Sequence, residues 1–105
     1  KAGGGQTWGL MGIPGVSGRY VSKVTVYYNG VKYFNFLDGA SFSYNSTGAS
    51  QPKDQQGINP AVFNLPYGST GQVAAVAGRS YILRLRGAGC KISKIVINYS
   101  KNKPE

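Results

Sequence analysis

The sequence predicts an all-β domain, and three observations carry that prediction. Apolar residues recur at every second position through residues 20–28 and again through 81–99. Glycine is abundant, 16 of 105 residues, and two glycine-bearing turns interrupt those stretches. Apolar spacing of three or four is sparse, and so are Ala, Leu, Glu and Gln. The expectation is one antiparallel β-prism or β-sandwich of about seven or eight or more short strands, with essentially no helix, spanning residues 1–105.

Residues 1–18 are glycine-rich with little pattern. Gly3, Gly4 and Gly5 permit close backbone approach, but no Gly-Lys-Ser/Thr follows them and no strand precedes them, so they are not a phosphate loop. Trp8, the single tryptophan, either anchors this segment to the core or stacks on the apolar face of a ligand. Residues 19–37 read as a hairpin around Asn29-Gly30, the pair that suits both positive-φ positions of a type I′ turn. That turn pairs Tyr28 with Val31, Val26 with Tyr33 and Val24 with Asn35. It puts Val24, Val26, Tyr28, Val31 and Tyr33 on the better core face. Lys23, Thr25, Tyr27, Lys32, Phe34 and Phe36 fall on the other, whose three aromatics call for cover on both sides or for an edge made by the N-terminal segment.

Residues 40–44 suggest a short strand, and 45–60 a long polar surface loop of the kind that often carries function. Short strands follow at 61–65 and 72–77, with Pro66-Tyr67-Gly68-Ser69 between them. Residues 79–99 then read as a C-terminal hairpin folded at Gly87-Ala88-Gly89. A two-residue turn sets Leu85 opposite Ile92 and Arg86 opposite Lys91, with Arg84 beside that pair; a bulged three-residue turn pairs Arg86 with Cys90 instead. Facing cations are destabilising unless an anion bridges them. The chain closes on a linker-like tail, 101–105.

Twelve Lys and Arg against three Asp and Glu give a net charge of +9, which favours acidic partners or simply solubility. The cations are spread along the chain, and no nucleic-acid-binding signature is present, which argues against nucleic acid. A single cysteine excludes an intramolecular disulfide framework, and Cys90 beside an apolar strand reads as small and packed. The chain has no histidine, so a Cys–His pair, a Ser-His-Asp triad and the usual zinc sites have no residues to form them. No enzyme activity, cofactor or metal is expected. No stretch is long and apolar enough to span a bilayer, and none of these residues has the pattern expected of a signal peptide. Both ends look cut, as in a mature protein or an excised domain, so a secreted or cell-surface location within a larger protein or assembly is the expectation. Asn45-Ser46-Thr47 and Asn98-Tyr99-Ser100 match the glycosylation sequon, a pattern common by chance.

Two stretches stand out together. The first is Gly3-Gly4-Gly5, Trp8 and Gly18, followed by Tyr20-Val-Ser-Lys-Val-Thr-Val-Tyr-Tyr28. The second is Val62-Phe63-Asn64-Leu65-Pro66, followed by Gly71-Gln72-Val73 through Gly78-Arg79-Ser80. Both resemble segments of jacalin-related lectins, and the resemblance implies a β-prism that binds sugar where the N-terminal glycines meet the loop before the last strands. Here that means Gly4, Gly5, Trp8, Gly78, Arg79, Ser80 and Tyr81. The acidic residue that family carries after this loop is missing, and Asp38 is the one that could replace it; it also suits a plain Gly-adjacent turn.

Two functions follow. A non-catalytic carbohydrate-binding module would use aromatic faces such as Trp8, Tyr27, Tyr33, Tyr44 and Tyr67 on sugar C–H surfaces, with polar groups on hydroxyls. A basic adhesive or structural module would bind an acidic polysaccharide, or a protein partner, through Arg79, Arg84, Arg86, Lys91 and Lys94.

Overall fold

The computed structural model describes residues 9–41, 49–50, 59–87 and 91–104. Seven strands form along these residues: β1 (Gly9–Ile13), β2 (Tyr20–Asn29), β3 (Tyr33–Asp38), β4 (Ala49–Ser50), β5 (Ala61–Asn64), β6 (Tyr81–Arg86) and β7 (Lys91–Ser100). Six have four residues or more and β4 has two, a smaller count than the sequence led one to expect. A 3-10 turn, Gly39–Ser41, is the only helical element among the described residues. No helix there is long and apolar enough to cross a membrane.

The strands make two antiparallel sheets. Sheet A has the order β1-β6-β3-β4, and sheet B has the order β5-β2-β7. Their inner faces share one core, in which Phe36 of sheet A stacks on Phe63 of sheet B with centroids 5.4 Å apart. This is the two-layer sandwich of the two architectures the sequence left open.

Neither predicted hairpin forms. The chain crosses from sheet B to sheet A after Asn29 and returns to sheet B after Arg86, so β2 pairs with β7 and β3 with β6. Two arches are thereby interlocked. A hairpin would force 19–37 to choose between two apolar faces, whereas an arch turns the inward row of each strand toward the same core. Phe34 (2 % exposed) and Phe36 (0 %) thus join Val24, Val26 and Tyr28 inside, while Tyr33 swings out to 39 %. Tyr81, Leu83 and Leu85 of β6 likewise share the core with Ile92, Ile95, Ile97 and Tyr99 of β7. The predicted registers Leu85 to Ile92 and Arg86 to Lys91 are replaced by Leu85 to Phe34, Arg86 to Tyr33 and Lys91 to Asn29. Facing cations are avoided in the process. The two arches touch at their crowns: the Lys32 N–H donates to the Arg86 carbonyl at 2.8 Å. A Cβ on Gly87 would stand only 2.2 Å from the Gly30 oxygen. No side chain fits there.

Three smaller readings also change. The glycine-rich N-terminal stretch contains a strand, β1, which pairs with β6 from Gly9 opposite Leu85 to Ile13 opposite Tyr81. Residues 72–77 form no strand beyond a single bridge from Val73 to Tyr67. Their backbone is met by a side chain instead: the Tyr81 hydroxyl donates to the Ala74 carbonyl (2.7 Å) and accepts from the Val76 N–H (3.3 Å). The start of the predicted 40–44 strand is the 3-10 turn, where Asp38 Oδ1 accepts from the Ala40 N–H at 2.8 Å and bends the chain away from a strand; residues 42–44 lie outside the described residues.

Candidate functional site

At the end of the sandwich away from the arch crowns, β3 finishes and β6 begins. Asp38 and Arg79, far apart in sequence, meet there as an ion pair between Arg79 Nη1 and Asp38 Oδ2. It is the only ion pair among the described residues, and its side chains are 28 % and 24 % exposed. The loop carrying Arg79 is held on three sides. The Gly78 N–H donates to the Arg19 carbonyl (2.8 Å), the Arg79 N–H to Val76 (3.1 Å), and the Gly39 N–H to Ser80 (3.0 Å). Gly78 has φ of 74°, a conformation that favours glycine, and the chain of Gly15 presses so close that a Cβ there would meet the Gly78 oxygen at 2.3 Å.

Of the residues expected to hold sugar, Asp38, Gly78, Arg79 and Ser80 are brought together here. Both Asp38 oxygens are engaged, one by the Ala40 N–H and one by Arg79. Tyr81 belongs to the core, 0 % exposed and stacked on Phe36 at 5.5 Å. Gly4, Gly5 and Trp8, like Tyr44 and Cys90, lie outside the described residues. Tyr67 is also a core residue, at 8 % exposure.

The four cations of the expected C-terminal hairpin are divided between two sheets. Arg84 and Arg86 point outward from sheet A, while Lys91 and Lys94 point outward from sheet B. Arg84 is committed to Asn35, directly opposite on β3, whose Oδ1 accepts from Arg84 Nε at 3.1 Å. Partial burial lowers the Arg84 pKa. Arg86 places its guanidinium 5.0 Å over the Tyr33 ring, with Lys32 at 6.0 Å.

On sheet B, Lys94 lies opposite Tyr27 and holds its Nζ 5.4 Å over that ring. A β-bulge makes this possible. Tyr27 pairs with Lys94 and Tyr28 with Ile92, which leaves Ser93 as the extra residue. The Ser93 hydroxyl donates to the Tyr27 carbonyl at 3.2 Å and so fills the gap in the ladder. The extra residue shifts the alternation by one, so Lys91 and Lys94, three apart, both face outward while Ile92 packs against the core. A second bulge at Ser22 does the same for Val21, and there the Ser22 hydroxyl donates to the Asn98 carbonyl at 3.0 Å. Sequence reasoning missed this face because strict alternation puts Lys91 and Lys94 on opposite sides. The polar serines inside otherwise alternating strands were the available signal.

Compared with known proteins, the chain matches no family, no curated protein and no solved structure.

Proposed function

We propose that this domain is a non-catalytic carbohydrate-binding module whose ligand is an acidic glycan, carrying carboxylate or sulfate groups. The observation that carries the reading is the charge left over once the fold is made. Asp38 is the single acidic residue among the described residues, and Arg79 takes it. Lys23, Lys32, Lys91, Lys94, Lys101 and Lys103 are all exposed, with no carboxylate partner among those residues. Uncompensated lysines beside tyrosine faces and amide side chains suit a ligand with anionic groups and hydroxyls. The chain's lack of histidine, with its one described carboxylate occupied, leaves little for acid–base chemistry.

The likeness to jacalin-related lectins points to the same class of ligand but to the loop at 78–81. The engaged oxygens of Asp38 favour the lysine-bearing surface over that loop. A glycan array probed at low and high salt tests the proposal. Sulfated and uronic-acid glycans are expected to bind, with a signal that falls as salt screens the lysines. Neutral glycans retained at high salt would return the assignment to the loop, and an array with no binding would overturn carbohydrate recognition altogether.

A further inference from the structure

The proposed ligand needs a surface, and the outer face of sheet B has the form of one. β2 sets Lys23, Thr25, Tyr27 and Asn29 outward in a row, because Val24, Val26 and Tyr28 between them are buried. The register places Asn98, Val96, Lys94 and Lys91 of β7 beside these four in turn. On the other flank β5 sets Asn64 beside Lys23 and Val62 beside Thr25. The result is a platform with two polar ends and a low floor. One end holds Lys23, Asn64 and Asn98, all exposed; the other holds Lys91, Lys94 and Tyr27; the half-buried Thr25, Val62 and Val96 lie between. No acidic residue among the described residues lies on it. From Lys23 to Tyr27 the row runs roughly 13 Å at the rise of an extended strand.

Both ends are set by the fold rather than by flexible loops. The Ser93 bulge brings Lys91 and Lys94 to one face, and the Tyr27 ring holds the Lys94 ammonium. Aromatic contact limits the freedom Lys94 has to give up when an anion arrives. The amides of Asn64 and Asn98 can donate to and accept from hydroxyls beside Lys23. Branched side chains of modest size in the middle leave the floor open to the edge of a sugar ring.

We infer that the outer face of sheet B is the glycan-binding platform, and that it takes a linear polysaccharide with repeated carboxylate or sulfate groups, its charges meeting Lys23 at one end and Lys91 with Lys94 at the other. This rests on the acidic-glycan reading above. The face presents spaced point charges between hydrogen-bonding amides, which matches a chain alternating anionic groups with hydroxyls.

The test uses dextran sulfate and polygalacturonate as probes, neutral dextran as the control, and two variants of the whole chain. One variant is Lys23→Gln with Lys91→Gln and Lys94→Gln, all on the platform. The other is Lys32→Gln with Arg86→Gln, on the arch crown and sheet A. Circular dichroism verifies that each is folded. The wild type is expected to bind one or both acidic probes and not dextran. Each platform lysine removed should weaken binding roughly two- to fivefold, the range of an exposed ion pair. It should also flatten the dependence of log Kd on log salt by about one unit. Amide NMR shifts on adding the probe should concentrate in β2, β5 and β7. Loss of binding in the Lys32 and Arg86 variant, with the platform variant unchanged, would overturn the platform and leave acidic-glycan recognition standing. No acidic probe bound by the wild type would overturn both. An oligonucleotide bound as tightly through the same three lysines would overturn the glycan assignment in favour of phosphate recognition. A dimer in sedimentation that the platform variant dissolves would overturn it in favour of self-association.

Discussion

Tyr67 titrates late because burial pushes its hydroxyl from 10.0 up to about 12. Tyr81 moves the same way, chiefly through burial. A folded-state pKa above the unfolded one contributes stability that is full below about pH 10 and is lost as pH rises toward about 12. Urea unfolding of Tyr67→Phe should therefore show a shallower loss of stability than wild type across that window. Equal slopes would mean the Tyr67 hydroxyl does not carry the effect. Asp38 and Arg79 work on a smaller scale. A partly exposed ion pair is worth about 1 kcal/mol or less, so a double-mutant cycle of Asp38→Asn and Arg79→Ala should return a coupling of about 0.5–1 kcal/mol. Acidic-glycan affinity should stay unchanged in Asp38→Asn, since the pair is a clasp between the end of β3 and the loop before β6. A loss there would restore the loop as the binding site. Phe36 belongs to the core proper, stacked on Phe63 and Tyr81 and set edge-on to Tyr67 at 5.7 Å. Its truncation to Ala should cost about 3–5 kcal/mol in chemical unfolding.

Arches rather than hairpins organise the elements, and their meeting point is the tightest place in the fold. Gly87→Ala would drive a Cβ into the Gly30 oxygen, which is backbone and cannot swing aside. The expected outcome is a loss of several kcal/mol, or about 10 °C or more in melting temperature. Gly12→Ala, on edge strand β1 with nothing within 4 Å of the added carbon, should shift stability by about 0.5 kcal/mol or less. Equal effects from the two would contradict the crown contact. β2 shows a second device at its border. Beyond the last β5 pairing, the Asn59 side chain takes the place of a strand neighbour, its Oδ1 accepting from the Tyr28 N–H and its Nδ2 donating to the Tyr28 carbonyl. A half-buried strand end is thereby kept satisfied without another strand.

At the scale of the molecule, a net charge of +9 on 105 residues repels itself in the folded state. Salt and ligand should act in opposite ways on that repulsion. Without ligand, raising salt screens the lysines and should raise the melting temperature. With dextran sulfate bound, ligand linkage raises the melting temperature at low salt, and added salt should lower it by weakening the complex. Calorimetry at several salt concentrations, with and without the polymer, should therefore give curves of opposite slope. Parallel curves would deny that the surface lysines hold the polymer.

The period-two pattern of residues 20–28 and 81–99 determined by itself that the described residues are almost all β and that β2, β6 and β7 exist, and composition determined that the excess charge is basic. Local alternation follows from the geometry of a single strand and needs no partner to be read. Which strand pairs with which was decided only in three dimensions. Asn29-Gly30 favours a hairpin locally, but Val24, Val26, Tyr28, Phe34 and Phe36 can all be buried only if the chain crosses between sheets there. The burial of those side chains outweighs one turn's preference. The lectin resemblance alone implied that Asp38 and Arg79 share a site, and the end of β3 and the loop before β6 do bring them together. The platform of Lys23, Lys91 and Lys94 was not legible from alternation alone, because it depends on pairing β2 with β7 and on a bulge at Ser93. An extra residue is defined only against the partner strand that lacks it. Tertiary pairing therefore had to decide which lysines share a face.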